Sequence, residues 1–155
     1  MALEKTFVML KPDAVARGLC GRIIARFEEK GLKIVAIKMF RFSADKCRLH
    51  YAHLADKPFF PRIEEFICSS PIVAMIIEGK DAVEVVHNMC GPTDSSKALP
   101  GTIRGDFGMS KQSNLIHSSD SAENAKAEIA RFFKPEEENE YTRSIDLVMY
   151  AKDEI

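Results

Sequence analysis

The run Thr6-Phe7-Val8-Met9-Leu10 is apolar almost throughout and is closed by Lys11-Pro12-Asp13, which reads as a buried strand emptying into a turn. From Cys20 to Lys30 the residues Cys20, Ile23, Ile24 and Phe27 recur at helical spacing, and Gly31 follows as a left-handed stop, predicting an amphipathic helix. The segment from Leu32 to Phe42 mixes Ile, Val and Phe with Lys33, Lys38 and Arg41, as suits a long strand partly covered on both faces. Ser43 is placed to cap a helix through Leu49 and Leu54. Lys57-Pro58 interrupts it before a short helix carrying Ile63, Phe66 and Ile67, so the two read as a helical hairpin. A third strand covers Ile72 to Ile77, and Val83, Val86 and Cys90 mark a helix stopped by Gly91-Pro92.

The stretch from Pro92 to Ser113 has almost no periodicity, and a loop of that length in a small domain is usually functional. Asn114 to His117 gives a last short strand, and Asp120 with Glu123 forms a capping pair for a helix running to Phe133. The acidic run Glu136-Glu137-Glu138 reads as a solvated segment. The apolar Leu147 to Tyr150 completes a C-terminal extension, residues 135–155, expected to pack on the body or on a neighbouring subunit.

Counting the hairpin as an insertion between strands two and three, the order is β-α-β-β-α-β. That predicts an α+β ferredoxin-like sandwich, a four-stranded antiparallel sheet with helices on one face, and leaves a parallel doubly wound sheet as the alternative. A chain of 155 residues that is 46% apolar and 29% charged supports one sizeable core, hence one domain over residues 1–155. The net charge of -1 provides no global positive field, so nucleic acid is not an expected partner and any phosphate site must be local. Cys20, Cys47, Cys68 and Cys90 form no C-x-x-C pair, which suits a reducing compartment. With no signal-peptide core and no run long enough to span a bilayer, the expected location is the cytoplasm, away from membranes. Neither a G-x-G-x-x-G nor a Walker-type glycine loop occurs, which argues against standard dinucleotide or P-loop binding.

His117 ends a strand just before a helix start, where orphan N–H groups favour anions. On position alone an ordinary strand-end histidine is the plainer reading. Glu128 changes the balance, because Ala125, Glu128, Ile129 and Phe132 fall on one helical stripe and a core-side carboxylate needs a partner. His117 is the candidate the topology offers: a Glu accepting from one imidazole nitrogen would fix the tautomer and leave the other free to attack phosphorus. A boundary glutamate reaching water is the alternative. Free imidazole titrates near ~6.5 and is largely neutral at pH 7, so it is available as a nucleophile. Lys11 and Arg104 could supply positive charge for phosphoryl transfer, although each is also readable as a surface cation. Phe59 and Phe60 cannot both face the same core side, so one could stack on a base, and Tyr51 is a further aromatic candidate.

Taken together, Asn114-Leu115-Ile116-His117-Ser118-Ser119-Asp120, Lys11-Pro12-Asp13 and Pro100-Gly101-Thr102-Ile103-Arg104-Gly105-Asp106-Phe107 closely resemble nucleoside diphosphate kinase, a likeness that covers nearly the whole chain. The resemblance implies a ferredoxin-like fold and ping-pong transfer of a γ-phosphate from a nucleoside triphosphate to a nucleoside diphosphate through a phosphohistidine at His117. By matching position it implies that Lys11 contacts phosphate and ribose, Tyr51 lines the phosphate end, Phe59 stacks on the base and Ile63 flanks it. Thr93 and Arg104 would bind phosphates, Asn114 the ribose hydroxyl, and Ser119 and Glu128 would orient the histidine. Mg2+ is the implied cofactor, carried on the nucleotide near Asp120 rather than in a protein cage. A homo-oligomer is implied, with a hexamer preferred to a tetramer.

Three departures from the family pattern stand out, the third joining Lys111 to a nearby loop. Ser118 stands where Gly or Ala is usual and is expected to crowd the ligand. His87 replaces a phosphate-binding arginine and cannot make its forked contact. Lys111 replaces an apolar residue near the base, and Asp94-Ser95-Ser96-Lys97 replaces a more proline-containing loop. His87 and Ser118 keep alive a nucleotide-binding regulatory protein of the same fold with weakened catalysis. An RNA-binding sheet of similar topology is a further alternative, but the chain lacks the aromatic-glycine strand signature and the basic balance it needs.

Overall fold

The computed structural model describes residues 3–154. Strand β1 (Glu4–Leu10) lies at its centre, because its side chains alternate between two apolar faces. Val8 and Leu10 join Val73, Met75 and Ile77 on one face, while Phe7 and Met9 join Ile72, Ala74 and Ile76 on the other. The partners on both faces come from β3 (Ile72–Gly79), which is buried along almost all its length. With β2 (Lys33–Phe40) and β4 (Ile116–Ser118) the sheet order is β2-β3-β1-β4, each neighbouring pair antiparallel. This is the ferredoxin-like arrangement the pattern predicted.

The helices cover both faces rather than one. Helices α2 (Cys20–Glu29) and α5 (Ala82–Cys90) bring Ile23, Phe27, Val86 and Cys90 to the first face. The hairpin α3 (Ala44–His50) and α4 (Phe60–Cys68), with α7 (Ala122–Phe132), brings Cys47, Phe60, Ile67 and Phe132 to the second. The physical reason is that Phe7, Met9 and Ile76 make that face as apolar as the first, so it too must be removed from water. Gly31, at φ +94°, ends α2 in the left-handed region as expected.

Four local readings change. Lys11-Pro12-Asp13 does not stay a turn but starts a short helix, α1 (Pro12–Ala16), with proline at its first position. Within 92–113 a second short helix, α6 (Ile103–Phe107), is capped by Thr102, whose side chain accepts from the Gly105 amide at 3.0 Å. Gly105 admits no side chain, since a Cβ there would collide with the Leu99 carbonyl. The cap of α7 is Ser121, accepting from the Asn124 amide at 3.1 Å, whereas Asp120 bonds the Asn124 side chain at 2.6 Å. β4 begins two residues later than Asn114, because Leu115 has φ +74° and cannot be strand.

The C-terminal segment lies against the body. The Asn139 amide donates to the Val35 carbonyl at 2.8 Å, and Arg143 donates to the carbonyls of Leu32 and Gly31 at 2.8 and 2.9 Å. The acidic run is not merely solvated: Glu137 pairs with Lys38 at 2.8 Å and Glu138 with Lys5 at 2.7 Å. Among the described residues no helix is long and apolar enough to cross a membrane.

Candidate active site

In the β1–β4 register His117 faces Met9 and Ser118 faces Val8. Period-two alternation therefore sends His117 to the face covered by α7 and Ser118 to the opposite one. His117 meets α7 two turns into the helix rather than at its first turn: its Nε2 lies 2.8 Å from Oε1 of Glu128. The other oxygen of Glu128 accepts from the Ser119 hydroxyl at 2.5 Å. Burial pushes the Glu128 carboxyl up, but the bonds from His117 and Ser119 outweigh it and hold the group below its ordinary value. A carboxylate accepting at Nε2 assigns the His117 proton to that nitrogen and leaves Nδ1 with a lone pair. The side chain of His117 remains 27% exposed, so the ring is not sealed from solvent.

Ser118 points away from this arrangement, toward the face on which Val8 and the buried Cys90 lie. The expected crowding of the ligand by Ser118 is therefore overturned by strand register.

A second set gathers around the start of α1. Lys11 Nζ donates to Asn114 Oδ1 at 2.7 Å, and Asn114 Nδ2 donates in turn to the carbonyls of Lys111 at 2.7 Å and Thr93 at 3.1 Å. Burial foremost, then the nearby Arg104 charge, lowers the Lys11 ammonium to about 8. Arg104 is itself buried, donating to the carbonyls of Asn114 at 3.2 Å, Gly91 at 2.6 Å and Ile116 at 2.5 Å. Between Asn114 and Ile116 sits Leu115, where the Ile116 amide bonds the Asn114 carbonyl at 2.9 Å in a three-residue turn. The Asp13 carboxylate accepts from the Leu115 amide at 3.0 Å and holds this strained residue in place.

Lys11, Tyr51, Ile63, Thr93, Lys111 and Asn114 line one cleft of about 220 Å³. Phe59 stands 47% exposed one turn before Ile63, while its neighbour Phe60 is 5% exposed, the division the adjacent phenylalanines required. Burial pushes the Tyr51 hydroxyl up, so it is a donor throughout the neutral range. His87 does not join this cleft. It is exposed on α5 in another, of about 320 Å³, with Glu4, Asp81, Glu84 and Asp120.

The sequence reading missed His50, which is 6% exposed with its ring 5.2 Å from that of His117. Its signal was available, since Cys47, His50, Tyr51 and Leu54 fall at helical spacing on one stripe. It missed Asp13 also, for which no local pattern announces a bond to residue 115. The donor atoms of His50, His117 and Glu128 lie within 4.8 Å of one another, a zinc-type set. Hydrogen bonds already engage it: Glu128 takes Nε2 of His117, and Arg131 donates to Nδ1 of His50 at 3.0 Å. A guanidinium beside the set also disfavours a cation there.

Residues 4–138 match the family model described as nucleoside diphosphate kinase. The chain belongs to the nucleoside diphosphate kinase family. It is 51% identical over 148 residues to the nucleoside diphosphate kinase of Desulforamulus reducens, covering 96% of this chain and 99% of that one. It is 52% identical over 146 residues to that of Pyrococcus horikoshii, covering 92% and 93%. Among solved structures, the Halobacterium salinarum nucleoside diphosphate kinase in complex with CDP superposes with a TM-score of 0.93 at 45% identity, over 97% of this chain and all of that one. A Babesia bovis family protein gives 0.91 at 44% identity, over 95% and 99%. The chain is thus a nucleoside diphosphate kinase, a phosphotransferase acting on nucleotides.

Proposed function

We propose that this nucleoside diphosphate kinase works through a phosphohistidine at His117, and the observation that carries the proposal is the 2.8 Å bond from His117 Nε2 to Glu128 on a ring still open to solvent. The Nδ1 lone pair attacks the γ-phosphorus of a nucleoside triphosphate, the bond to the β–γ bridging oxygen breaks, and the nucleoside diphosphate leaves. A second nucleoside diphosphate reverses the step with its own terminal oxygen. The Nε2 proton stays on the side of Glu128 throughout, so the positive charge that grows on the ring is met by a carboxylate. Ser119 holds that carboxylate in line.

The Lys11 cleft supports the nucleotide assignments. Lys11 and Asn114 are already bonded to each other, and in this reading they take phosphate and ribose hydroxyl. Tyr51 and Thr93 line the phosphate end, and Phe59 and Ile63 present an apolar face for a base. Arg104 spends three donors on backbone carbonyls and keeps the rest of its fork for phosphate. The CDP in the Halobacterium salinarum relative supports a nucleotide in this chain too. His87 shares its cleft with four carboxylates, so a triphosphate reaches it only with its charge offset. Mg2+ on the nucleotide phosphates supplies that offset when bound, and Asp120, exposed and with one carboxylate oxygen outside its bond to Asn124, fits a place beside it.

A homo-oligomer belongs to the same proposal. β2 is one of the sheet's two outer strands and carries Ile37 and Met39 at 52% and 58% exposure, an edge that pairing with another copy would cover. The preference for a hexamer rests on the family resemblance. A cytoplasmic location suits four free thiols.

The test is labelling. Incubation with γ-labelled triphosphate should yield an acid-labile, alkali-stable protein phosphate that is absent from His117→Ala and is discharged by nucleoside diphosphate. Absence of label in the unaltered protein would sink the mechanism and favour a regulatory role. Light scattering of the same preparation gives the number of subunits.

A further inference from the structure

Glu128 and Arg131 are three residues apart on α7, so they project from one helix face. Glu128 holds His117 by Nε2 at 2.8 Å, and Arg131 holds the neighbouring His50 by Nδ1 at 3.0 Å. The two imidazoles lie edge to face, 5.2 Å between centroids and 87° between planes. One face of one helix thus fixes both rings. We propose that Arg131 is a positioning residue for phosphoryl transfer: it locks His50 as the neutral, Nε2-protonated tautomer and so keeps an uncharged ring packed against His117. The proposal rests on the reading of His117 as the nucleophile.

The assignment of the proton follows from the donor. A guanidinium has only N–H groups to offer, so Nδ1 of His50 must be the acceptor and its single ring proton must sit on Nε2. The surroundings agree. Phe7, Phe42, Tyr51 and Phe132 pack around His50 at centroid distances between 4.6 and 6.4 Å. The ionisable groups facing it are His117 from β4, Glu128 and Arg131 from α7, and His53 from the turn after α3. Of these only Glu128 favours a charged His50. Burial foremost, with His117, Arg131 and His53, drives it down to about 3.

A neutral ring matters because His117 gains positive character as Nδ1 takes the phosphoryl group. A charged His50 beside it would oppose that charge, while a ring free to flip would withdraw the support that sets the angle of His117 toward phosphorus.

The direct observation is on the unaltered protein: 15N spectra of the His50 ring should show an unprotonated Nδ1 and a protonated Nε2 from pH 8 down to pH 5. In Arg131→Leu the ring should show mixed tautomers, and kcat should fall about tenfold with KM unchanged and the acid limb of the kcat profile moved to higher pH. Arg131→Lys, which still donates, should restore most of the loss. A protonated Nδ1 in the unaltered protein overturns the proposal, whether or not the variants fold. So does an Arg131→Leu enzyme with unchanged kcat profile and unchanged ring signals. Failure of His117 to take label defeats the mechanism above, whereas a labelled His117 indifferent to Arg131 defeats only this inference.

Discussion

Glu128 and His117 are eleven residues apart in the chain and meet at 2.8 Å, because the strand register turns the imidazole toward α7 at the one turn where the helix carries a core-side carboxylate. Removing that carboxylate leaves the tautomer unassigned without altering the nucleotide cleft. Glu128→Ala should therefore lower kcat about tenfold to a hundredfold while the affinity for nucleoside diphosphate, measured by calorimetry, changes little. Equal kcat in the variant would show that the pair does not orient the nucleophile.

Lys11 should give the enzyme an alkaline limit. Its free-enzyme value of about 8 means that above this pH the ammonium that attracts phosphate is lost, so kcat/KM should fall about tenfold per pH unit. The kcat limb should lie higher, since bound phosphate favours the charged form. Folding responds with the opposite sign. The folded value is below the ordinary 10.5, so between about 8 and 10.5 the unfolded chain holds the proton longer and stability rises with pH. Lys11→Ala should weaken both turnover and binding and abolish the kcat/KM limb. A flat profile to pH 10 in the unaltered enzyme would contradict the assignment.

Asp13 ties α1 to the strained turn before β4. Its carboxylate accepts from the Leu115 amide at 3.0 Å, and Leu115 is fully buried at φ +74°. Asp13→Ala leaves that amide without a partner and should cost about 1–3 kcal/mol in urea unfolding. Turnover should fall as well, because Asn114 and Ile116 flank the turn. Asp13→Asn keeps an acceptor and should recover most of both.

What the chain disclosed in advance follows from the range of each interaction. The strand β1, the stop at Gly31 and the stripe carrying Glu128 are local patterns, and each is where the periodicity put it. Helix α6 was hidden because its cap, Thr102, sits among glycines and prolines that mimic a loop, yet a threonine three residues before Gly105 was a readable signal. The second helical layer was misjudged because alternation shows which residues share a face and not whether that face is wetted. Asp13 and Leu115, and Arg131 and His50, are 102 and 81 residues apart. Pairings at that distance leave no mark on a single sequence.

Ser118 provides a test of register. If its side chain lies on the Val8 face with Cys90, then Ser118→Ala should change kcat/KM by less than about twofold, as expected for a substitution away from the reacting atoms. A large gain on shortening this side chain would mean that it does crowd the nucleotide, and the register of β4 would need revision.

His50 should set part of the acid sensitivity of the fold. Its value in the folded chain is about 3 against an ordinary 6.5, with burial the largest cause. Above pH 6.5 the ring is neutral folded or unfolded and contributes no slope. As pH falls from 6.5 toward 3 the unfolded chain takes a proton that the folded ring refuses, so stability drops by up to about 1.4 kcal/mol per pH unit from this group alone. His50→Phe keeps an aromatic ring among Phe7, Phe42 and Phe132 and removes the titration. Unfolding free energies in urea at pH 6.5, 5.5 and 4.5 should therefore decline less steeply in the variant, by close to one proton. Carboxylates such as Glu128, whose folded value is also lowered, steepen both curves alike, so the difference between them isolates His50. Parallel curves would mean that the ring is protonated as readily inside the fold as outside, and that Arg131 faces a cation rather than a neutral acceptor.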